Sequence, residues 1–564
     1  MNEEHLPGAV RSSFSSRARK HLPLLLVLLY FGTVFHGVLF MTQGAYERDA
    51  FFHARYAQLL PERGLSREFR WMQFTAWKDA FCDKDFLYHV ILAPFAGLWP
   101  EALDGAKVGA LLLALAALAS VYMVLCRLKA PWPLLWVFLL AVGSGLFLIR
   151  LLMVRSHVLS ITLMIWALYA ILRGRFWPCF GVAFAYAWSY SFPLAMLLTA
   201  VAAELGRWVV AKPAFTAEDA EGAKGKPRET TAYLFVSIPS AFLCVLRGEK
   251  SVLVPRSVLA TALGLGAGLL FHPYSPNTLR TLWLLLNVSA AGAAGSPVEI
   301  GSEFGRMDLA SLVLALPGLL LALALAILGA VLLLRRQAQG RSLSAESAAA
   351  LGAALAWFAS IFVFSRLVEY FAPLLVIAAA LVARDWSGGG LPFRAARPEQ
   401  RSRVLAFMLG CALFIAGLHQ LAFLEVRARA HDTLRYFPSA EAWYRGRYFD
   451  GAAEWMKEHL QPQATVINFH WDDFPELFYS APFQNYIVGL DPTLLRLQYP
   501  EKMAALEAMR TQAAPLDFGK LGRLFGSEYV IMRRYRAEAY RVLKDRVILP
   551  VYEDATAVIY RTSS

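Results

Sequence analysis

The sequence predicts a polytopic α-helical membrane protein of about eleven spans with a C-terminal α/β domain outside the membrane. Three observations carry that prediction. Of 564 residues, 57% are hydrophobic and only 17% are charged, with a mean hydropathy of +0.46, far too apolar for a soluble chain. Apolar runs of about 20 residues, the length that crosses a hydrocarbon core, recur as far as residue 424. From about residue 425 hydropathy falls, and short β-branched runs alternate with amphipathic patterns.

Residues 1–20 form a basic tail (Arg11, Arg17, Arg19, Lys20). The run 21–41 is long enough to span and lacks a small-residue cleavage site, so it reads as an uncleaved first helix. Its basic flank places the N-terminus in the cytoplasm. Residues 42–102 form a long first external loop, in which the apolar stretch 86–99 is too short to cross and lies in the interface or dips back. Further spans are expected at about 103–126, 131–149, 157–173, 176–190, 192–210, 256–272, 308–334, 346–364, 368–384 and 404–424, while 233–247, short and broken by Pro239, reads as interfacial. An odd number of spans puts the C-terminus outside. Loop charge agrees: Arg127/Lys129, Arg173/Arg175, Arg335/Arg336/Arg341 and the basic stretches 207–228 and 384–403 fall on the cytoplasmic side. The membrane domain thus runs 21–424. The outer domain, 425–564, is large enough to fold alone, with strands at Thr465-Val466-Ile467 and Tyr529-Val530-Ile531-Met532 and helices over 452–459 and 501–513.

Composition also excludes function classes. The net charge of +13 follows from basic cytoplasmic loops and attraction to anionic headgroups. No nucleic-acid module is legible, so nucleic acid is not an expected partner. Cys126, Cys179, Cys244 and Cys411 lie in apolar runs and Cys82 stands alone in a loop; no CxxC or Cys/His spacing suggests a disulfide framework or zinc site.

The candidate chemistry gathers at predicted external edges. Directly after the first span comes Tyr46-Glu47-Arg48-Asp49-Ala50-Phe51-Phe52-His53-Ala54-Arg55-Tyr56. Two readings stand: solvent pairs Glu47–Arg48 and Asp49–Arg55, or a reactive centre beside a lipid-borne substrate. A carboxylate there takes a proton from an acceptor or binds a hard cation such as Mg²⁺ or Mn²⁺. On a helix, Asp49 and His53 share a face. Asp83-Lys84-Asp85 is an acidic turn or a cation ligand pair. Arg150, Arg155 and His157 either snorkel at the span edge or hold phosphate. Arg366 and Glu369 pair with each other or serve a site. Glu303, in a Gly- and Ser-bearing loop, is a plain loop acid or swings into a site. Asn468-Phe469-His470-Trp471-Asp472-Asp473-Phe474-Pro475 follows one predicted strand and Asp491-Pro492 a second; strand ends bind ligands in α/β domains, and Asp and Pro also make ordinary turns.

The order of these features resembles the GT-C glycosyltransferases, membrane enzymes that use polyprenyl-phosphate- or pyrophosphate-linked sugars, and most closely a distant oligosaccharyltransferase catalytic subunit. Asp49-Ala50-Phe51-Phe52-His53-Ala54-Arg55 is similar to that family's first-loop motif, whose Asp binds metal and acceptor. Trp471-Asp472 resembles part of its Trp-Trp-Asp-Tyr-Gly motif, Glu303 occupies the place of its mobile-loop Glu, and Arg366 resembles its donor-phosphate arginine. The chain departs from the family between spans three and four, where an acidic pair is replaced by Arg150 to Ile161 with His157 and no acid. Either Asp83 and Asp85 replace those ligands or the reaction needs no metal. The resemblance therefore implies Asp49, Glu47 and Glu303 as catalytic residues. Arg366, Arg150, Arg155 and His157 would bind donor phosphate, and Trp471, Asp472, Asp473 and His53 the acceptor. Asp49, Asp83 and Asp85 are the candidate ligands of a divalent Mg or Mn. The implied activity is transfer of a sugar or glycan to a protein, lipid or glycan acceptor on the extracytoplasmic side of a bacterial inner membrane. A transporter or flippase of lipid-linked sugars, or a non-catalytic envelope assembly protein, is the alternative.

Overall fold

The structure, a computed structural model, describes residues 8–45, 47–211, 255–293, 307–336, 342–387, 417–419, 436–540 and 549–562. The chain opens with α1 (Gly8–Leu39). The first loop supplies α2 (Asp49–Arg63) and α3 (Phe86–Leu98). The helical body continues through α4 (Ala102–Arg127), α5 (Pro133–Val142), α6 (Gly145–Leu151), α7 (His157–Leu172), α8 (Phe176–Ala187) and α9 (Leu194–Ala211). After a gap in the described residues come α10 (Arg256–Leu270), α11 (Asn277–Ala293), α12 (Leu309–Ala315), α13 (Pro317–Arg335), α14 (Ala345–Ile361) and α15 (Val368–Ser387).

Among the described residues, four helical segments are long and apolar enough to cross a membrane: Leu22–Leu39, Ala102–Arg127, Pro317–Arg335 and Ser365–Ser387. The pair α5 and α6, bent by 91°, makes a fifth. The expected count of eleven is therefore not reached by length. The segments expected at 157–173, 176–190, 256–272 and 346–364 are shorter apolar helices, and those at 233–247 and 404–424 lie outside the described residues, apart from 417–419. The bend between α5 and α6 has a local cause. Ser144 caps α6 by accepting from the Phe147 amide, and its hydroxyl donates to the Ala315 carbonyl, so the chain re-initiates a helix instead of continuing one.

Helices in the body touch through small residues. A Cβ on Gly206 of α9 would lie 2.2 Å from the Ala348 carbonyl oxygen of α14, and one on Gly352 would lie 2.6 Å from the Ala202 oxygen. In lipid, where hydrophobic burial between helices is weak, such backbone approach is what binds them.

The C-terminal α/β domain comprises α16 (Ala440–Arg445), α17 (Asp450–His459), β1 (Thr465–Asn468), α18 (Phe474–Ser480), β2 (Asn485–Tyr486), α19 (Thr493–Gln498), α20 (Pro500–Arg510), α21 (Phe518–Phe525), β3 (Tyr529–Arg533), α22 (Arg534–Ala539), β4 (Pro550–Glu553) and β5 (Ala557–Arg561). Its sheet has the order β2-β1-β3-β5-β4. β1 runs parallel to β2 and β3, with Val466 opposite Tyr529, and β5 runs antiparallel to β3 and β4, with Ile531 opposite Ile559. β1 and β3 fall where the sequence placed strands. β2 ends at Tyr486, so the strand expected just before Asp491 is instead a loop.

The first loop is the seam between the two parts. Trp71, Gln73 and Phe74 hydrogen-bond to Tyr486 and Ile487 at the sheet edge, which covers an edge that would otherwise be open. Phe52, Tyr56, Phe69 and Trp71 share one buried core with Phe474, Phe478, Tyr486 and Ile531. The loop motif is thereby fixed between helical body and sheet.

Candidate functional site

α2 begins at Asp49, so Asp49 and His53 lie one turn apart on the same face. Both line a cavity with about 980 Å³ of empty space, open to solvent. The α6–α7 segment adds Arg150, Arg155, Ser156 and His157 to its wall, the first loop adds Asp83, Lys84 and Asp85, and Arg366 and Tyr190 come from the turns before α15 and α9. The C-terminal domain reaches in with Leu490, Asp491 and Leu494. A second cavity of about 650 Å³ shares Tyr190, Ser191, Leu285, Arg366 and Asp491 with the first and continues over Phe192, Leu282, Leu286, Phe364 and Leu367. A polar chamber thus opens into an apolar one, with Arg366 and Asp491 at the junction.

The charges form three connected groups. Arg155 bridges the opening motif: it lies 2.7 Å from Glu47 and 2.6 Å from Asp49. Glu47 also caps α2, accepting from the Asp49 and Ala50 amides. Burial pushes its carboxyl up to about 7, with Arg155 opposing and Asp49 reinforcing the rise. The Asp49 side chain stays 28% exposed against 8% for Glu47, so Asp49 is the one that presents an oxygen to the chamber.

The second group is the array Asp83–His89–His53. Asp83 accepts from His89 Nδ1 at 2.8 Å, which leaves His89 Nε2 to accept from His53 Nδ1, also at 2.8 Å. Burial, then the nearby His89, Lys84 and Arg155, holds His53 well below the usual imidazole range, and so neutral. Asp85 accepts from Ser156 at 2.8 Å and pairs with Lys84 at 2.7 Å. Burial opposes its ionisation, but Lys84, His89 and Ser156 prevail and keep it below the ordinary carboxylate range.

In the third group Arg150 pairs at 2.7 Å with Glu369, whose side chain is wholly buried. His157 Nε2 donates to the Arg150 carbonyl at 2.6 Å. Tyr190 donates to Glu369 and accepts from Arg366. The pairs run across long stretches of chain: Glu369 binds Arg150 across 219 positions, Glu47 binds Arg155, and Arg55 donates to the Tyr479 carbonyl.

The structure therefore brings together Asp49, His53, Asp83, Asp85, Arg150, Arg155, His157 and Arg366, with Glu47 behind Arg155. It does not bring Trp471, Asp472 and Asp473 to this chamber. Asp473 pairs with Arg533 at 2.6 Å, Asp472 with Arg536 at 2.7 Å, and Trp471 packs against the core on the sheet's other side. Arg533 and Arg536 close β3 and open α22 beside the end of β1; no local pattern around residue 471 announces partners sixty positions away. Glu303 lies outside the described residues.

The divalent-cation reading fares differently. A hard cation takes about six oxygen ligands, whereas Asp49 engages Arg155, Asp83 engages His89, and Asp85 engages Lys84 and Ser156. Among the described residues no three His, Cys, Asp or Glu side chains converge as a metal site. The set Asp49, Asp83 and Asp85 does not fit a Mg or Mn ion as these side chains are arranged.

Sequence reasoning passed over Tyr190, Ser156 and Lys84 and left Asp491 between a strand-end ligand site and an ordinary turn. Asp491-Pro492-Thr493 does carry a legible capping signal, but nothing local shows that the turn dips into the chamber.

The helical body and the covering α/β domain together share the fold of solved oligosaccharyltransferase and ArnT structures. AglB, the oligosaccharyltransferase of Archaeoglobus fulgidus, solved with an inhibitory peptide and a dolichol-phosphate, superposes on 93% of this chain and 71% of its own, with TM-score 0.54 and 14% identity. ArnT from Cupriavidus metallidurans, bound to undecaprenyl phosphate, superposes on 96% of this chain and 98% of its own, with TM-score 0.53 and 12% identity. No family model and no curated protein sequence matches the chain, so the likeness is one of fold.

Proposed function

We propose that the chain is a membrane-embedded glycosyltransferase that moves a sugar or glycan from a polyprenyl-phosphate or -pyrophosphate donor to an acceptor. On this reading the chamber faces the extracytoplasmic side of a bacterial inner membrane, the N-terminus lies in the cytoplasm, and the shorter helices α7, α8, α10 and α14 complete the crossings. The observation that carries the reading is the junction of the chambers: Arg366 stands where a polar, ion-rich cavity opens into one lined by Phe192, Leu282, Leu286 and Phe364. An isoprenoid chain suits the apolar side, its phosphate the arginine, and its sugar the polar side. The dolichol-phosphate held by AglB and the undecaprenyl phosphate held by ArnT support the same donor class.

Chemically, the acceptor oxygen or nitrogen bonds to the anomeric carbon as the bond from that carbon to phosphate oxygen breaks, and the electron pair leaves on phosphate. Asp49 orients the acceptor and takes its proton. Arg155, bound to Asp49, fixes that carboxylate, and Glu47 holds Arg155 from behind. Arg366 offsets the charge that grows on the leaving phosphate, with Arg150 held in place by Glu369. Purified protein incubated with radiolabelled polyprenyl-linked sugars tests the reading, with Mn²⁺ and with chelator in parallel arms. Label should appear in a product that no longer extracts with the lipid. Movement of intact donor across liposomes without transfer would replace this reading with a flippase.

A further inference from the structure

The C-terminal domain sends one charged side chain into the chamber, and its loop is built to hold that side chain still. After β2 the chain runs Ile487-Val488-Gly489-Leu490-Asp491. Asn468 clamps the start, accepting from the Ile487 amide at 3.0 Å and donating to the Val488 carbonyl at 2.6 Å. Gly489 lies so close to Phe474 that a Cβ would sit 2.0 Å from its ring. Leu490 then adopts φ +63°, a left-handed conformation that a leucine rarely takes. Strain of this kind persists where the surroundings over-determine it, and it clusters at functional sites. It delivers Asp491 to the junction of the two cavities. One carboxylate oxygen, Oδ1, is fixed by the Thr493 amide at 2.8 Å and the Thr493 hydroxyl at 2.6 Å. Oδ2 makes no hydrogen bond among the described residues.

We infer that Asp491 is a specificity-determining residue that accepts hydrogen bonds from hydroxyls of the donor sugar through Oδ2. The inference rests on the proposed function and extends it to the α/β domain. An anionic acceptor oxygen matches a neutral polyol, whose hydroxyls donate. Asp49 and Asp491 then stand on opposite walls with different tasks, one on the helical body toward the acceptor, the other on the domain toward the sugar. Burial raises the Asp491 carboxyl, and Thr493 and Lys84 pull it back; both act on the carboxylate without occupying Oδ2.

Binding to the full-length protein in nanodiscs tests this, with undecaprenyl phosphate and its hexosyl, N-acetylhexosaminyl and pentosyl esters as probes. Wild type should bind undecaprenyl phosphate, and at least one ester about tenfold more tightly. Asp491→Asn, which keeps the Thr493 contacts and puts an N–H₂ where Oδ2 was, should lose that sugar increment and keep undecaprenyl phosphate affinity within about twofold. Should that variant fail to fold, Thr493→Val keeps the carboxylate, loosens it, and should cost part of the same increment. An increment that survives Asp491→Asn, an equal loss for the unglycosylated lipid, or no ester preferred by wild type would overturn the inference alone. Wild type that binds no undecaprenyl phosphate would overturn the donor reading beneath it.

Discussion

Arg48 Nη1 lies 3.1 Å from Glu476 Oε2, and that ion pair joins the residue before Asp49 to α18 of the C-terminal domain. The Glu476 carboxylate is wholly buried. Its other oxygen accepts from the Tyr448 and Phe449 amides, and Arg48 also donates to the Gly446 carbonyl and lies over the Tyr448 ring. Removing one partner of a buried pair leaves the other charge uncompensated, at about 3–5 kcal/mol. Glu476→Ala should therefore lower Tm markedly and reduce transfer in step, because the start of α2 loses its tether. Replacing both partners, as Arg48→Met with Glu476→Leu, should recover part of the stability. Thermal unfolding in detergent decides it; a wild-type Tm for Glu476→Ala would show that the pair carries no weight.

Asp49→Asn should abolish transfer with little change in Tm. Positioned acid–base catalysis contributes roughly 10²–10⁴-fold, and the side chain is 28% exposed, held by Arg155 at 2.6 Å and not by packing. An amide keeps that contact and cannot take a proton. Initial rates together with melting curves separate the two effects, and turnover within tenfold of wild type would remove Asp49 from its proposed role.

Glu47 gives a pH dependence of defined sign. Its carboxyl ionises near 4.5 in the unfolded chain and near 7 when folded, because burial penalises the charge. Between those values the folded state holds a proton that the unfolded state has released. The contribution to stability is therefore complete below about pH 4.5 and is lost as pH rises through about 7. Glu47→Gln removes the ionisation, so its Tm relative to wild type should rise between pH 5 and pH 8. Ionised Glu47 also tightens its hold on Arg155, the residue that fixes Asp49. Wild-type transfer should climb through pH 7, an inflection that Glu47→Gln should lack.

What the sequence revealed follows the range of the interactions. Apolar runs and the 465–468 and 529–533 strands are local patterns, and they appear as elements. Asp49 and His53, four residues apart, share a face only if the motif is helical, and α2 makes it so. Partners were not legible. Arg155 serves Glu47 and Asp49 from more than a hundred positions away, Arg150 finds Glu369 across 219, and Arg48 finds Glu476 across 428. Asp83 and Asp85 read from sequence as a candidate ligand pair, and only the fold sets His89 and Ser156 against them.

Gly489→Ala tests the loop that carries Asp491. The added methyl would meet Phe474 at 2.0 Å from Cγ and 2.2 Å from Cδ1. Phe474 cannot swing aside: it is fully buried, stacked on Phe478 at 5.7 Å and set edge-on to Tyr486 at 5.9 Å. Overpacking of this kind costs about 1–3 kcal/mol. The backbone is the softer side, because Leu490 already sits in a left-handed conformation, so the strain should be relieved by moving the Leu490–Asp491 segment. Transfer measured well below Tm should then fall further than the lost stability explains, with KM for the glycosylated donor raised. A wild-type KM alongside a lowered Tm would mean that the glycine serves packing and leaves Asp491 in place.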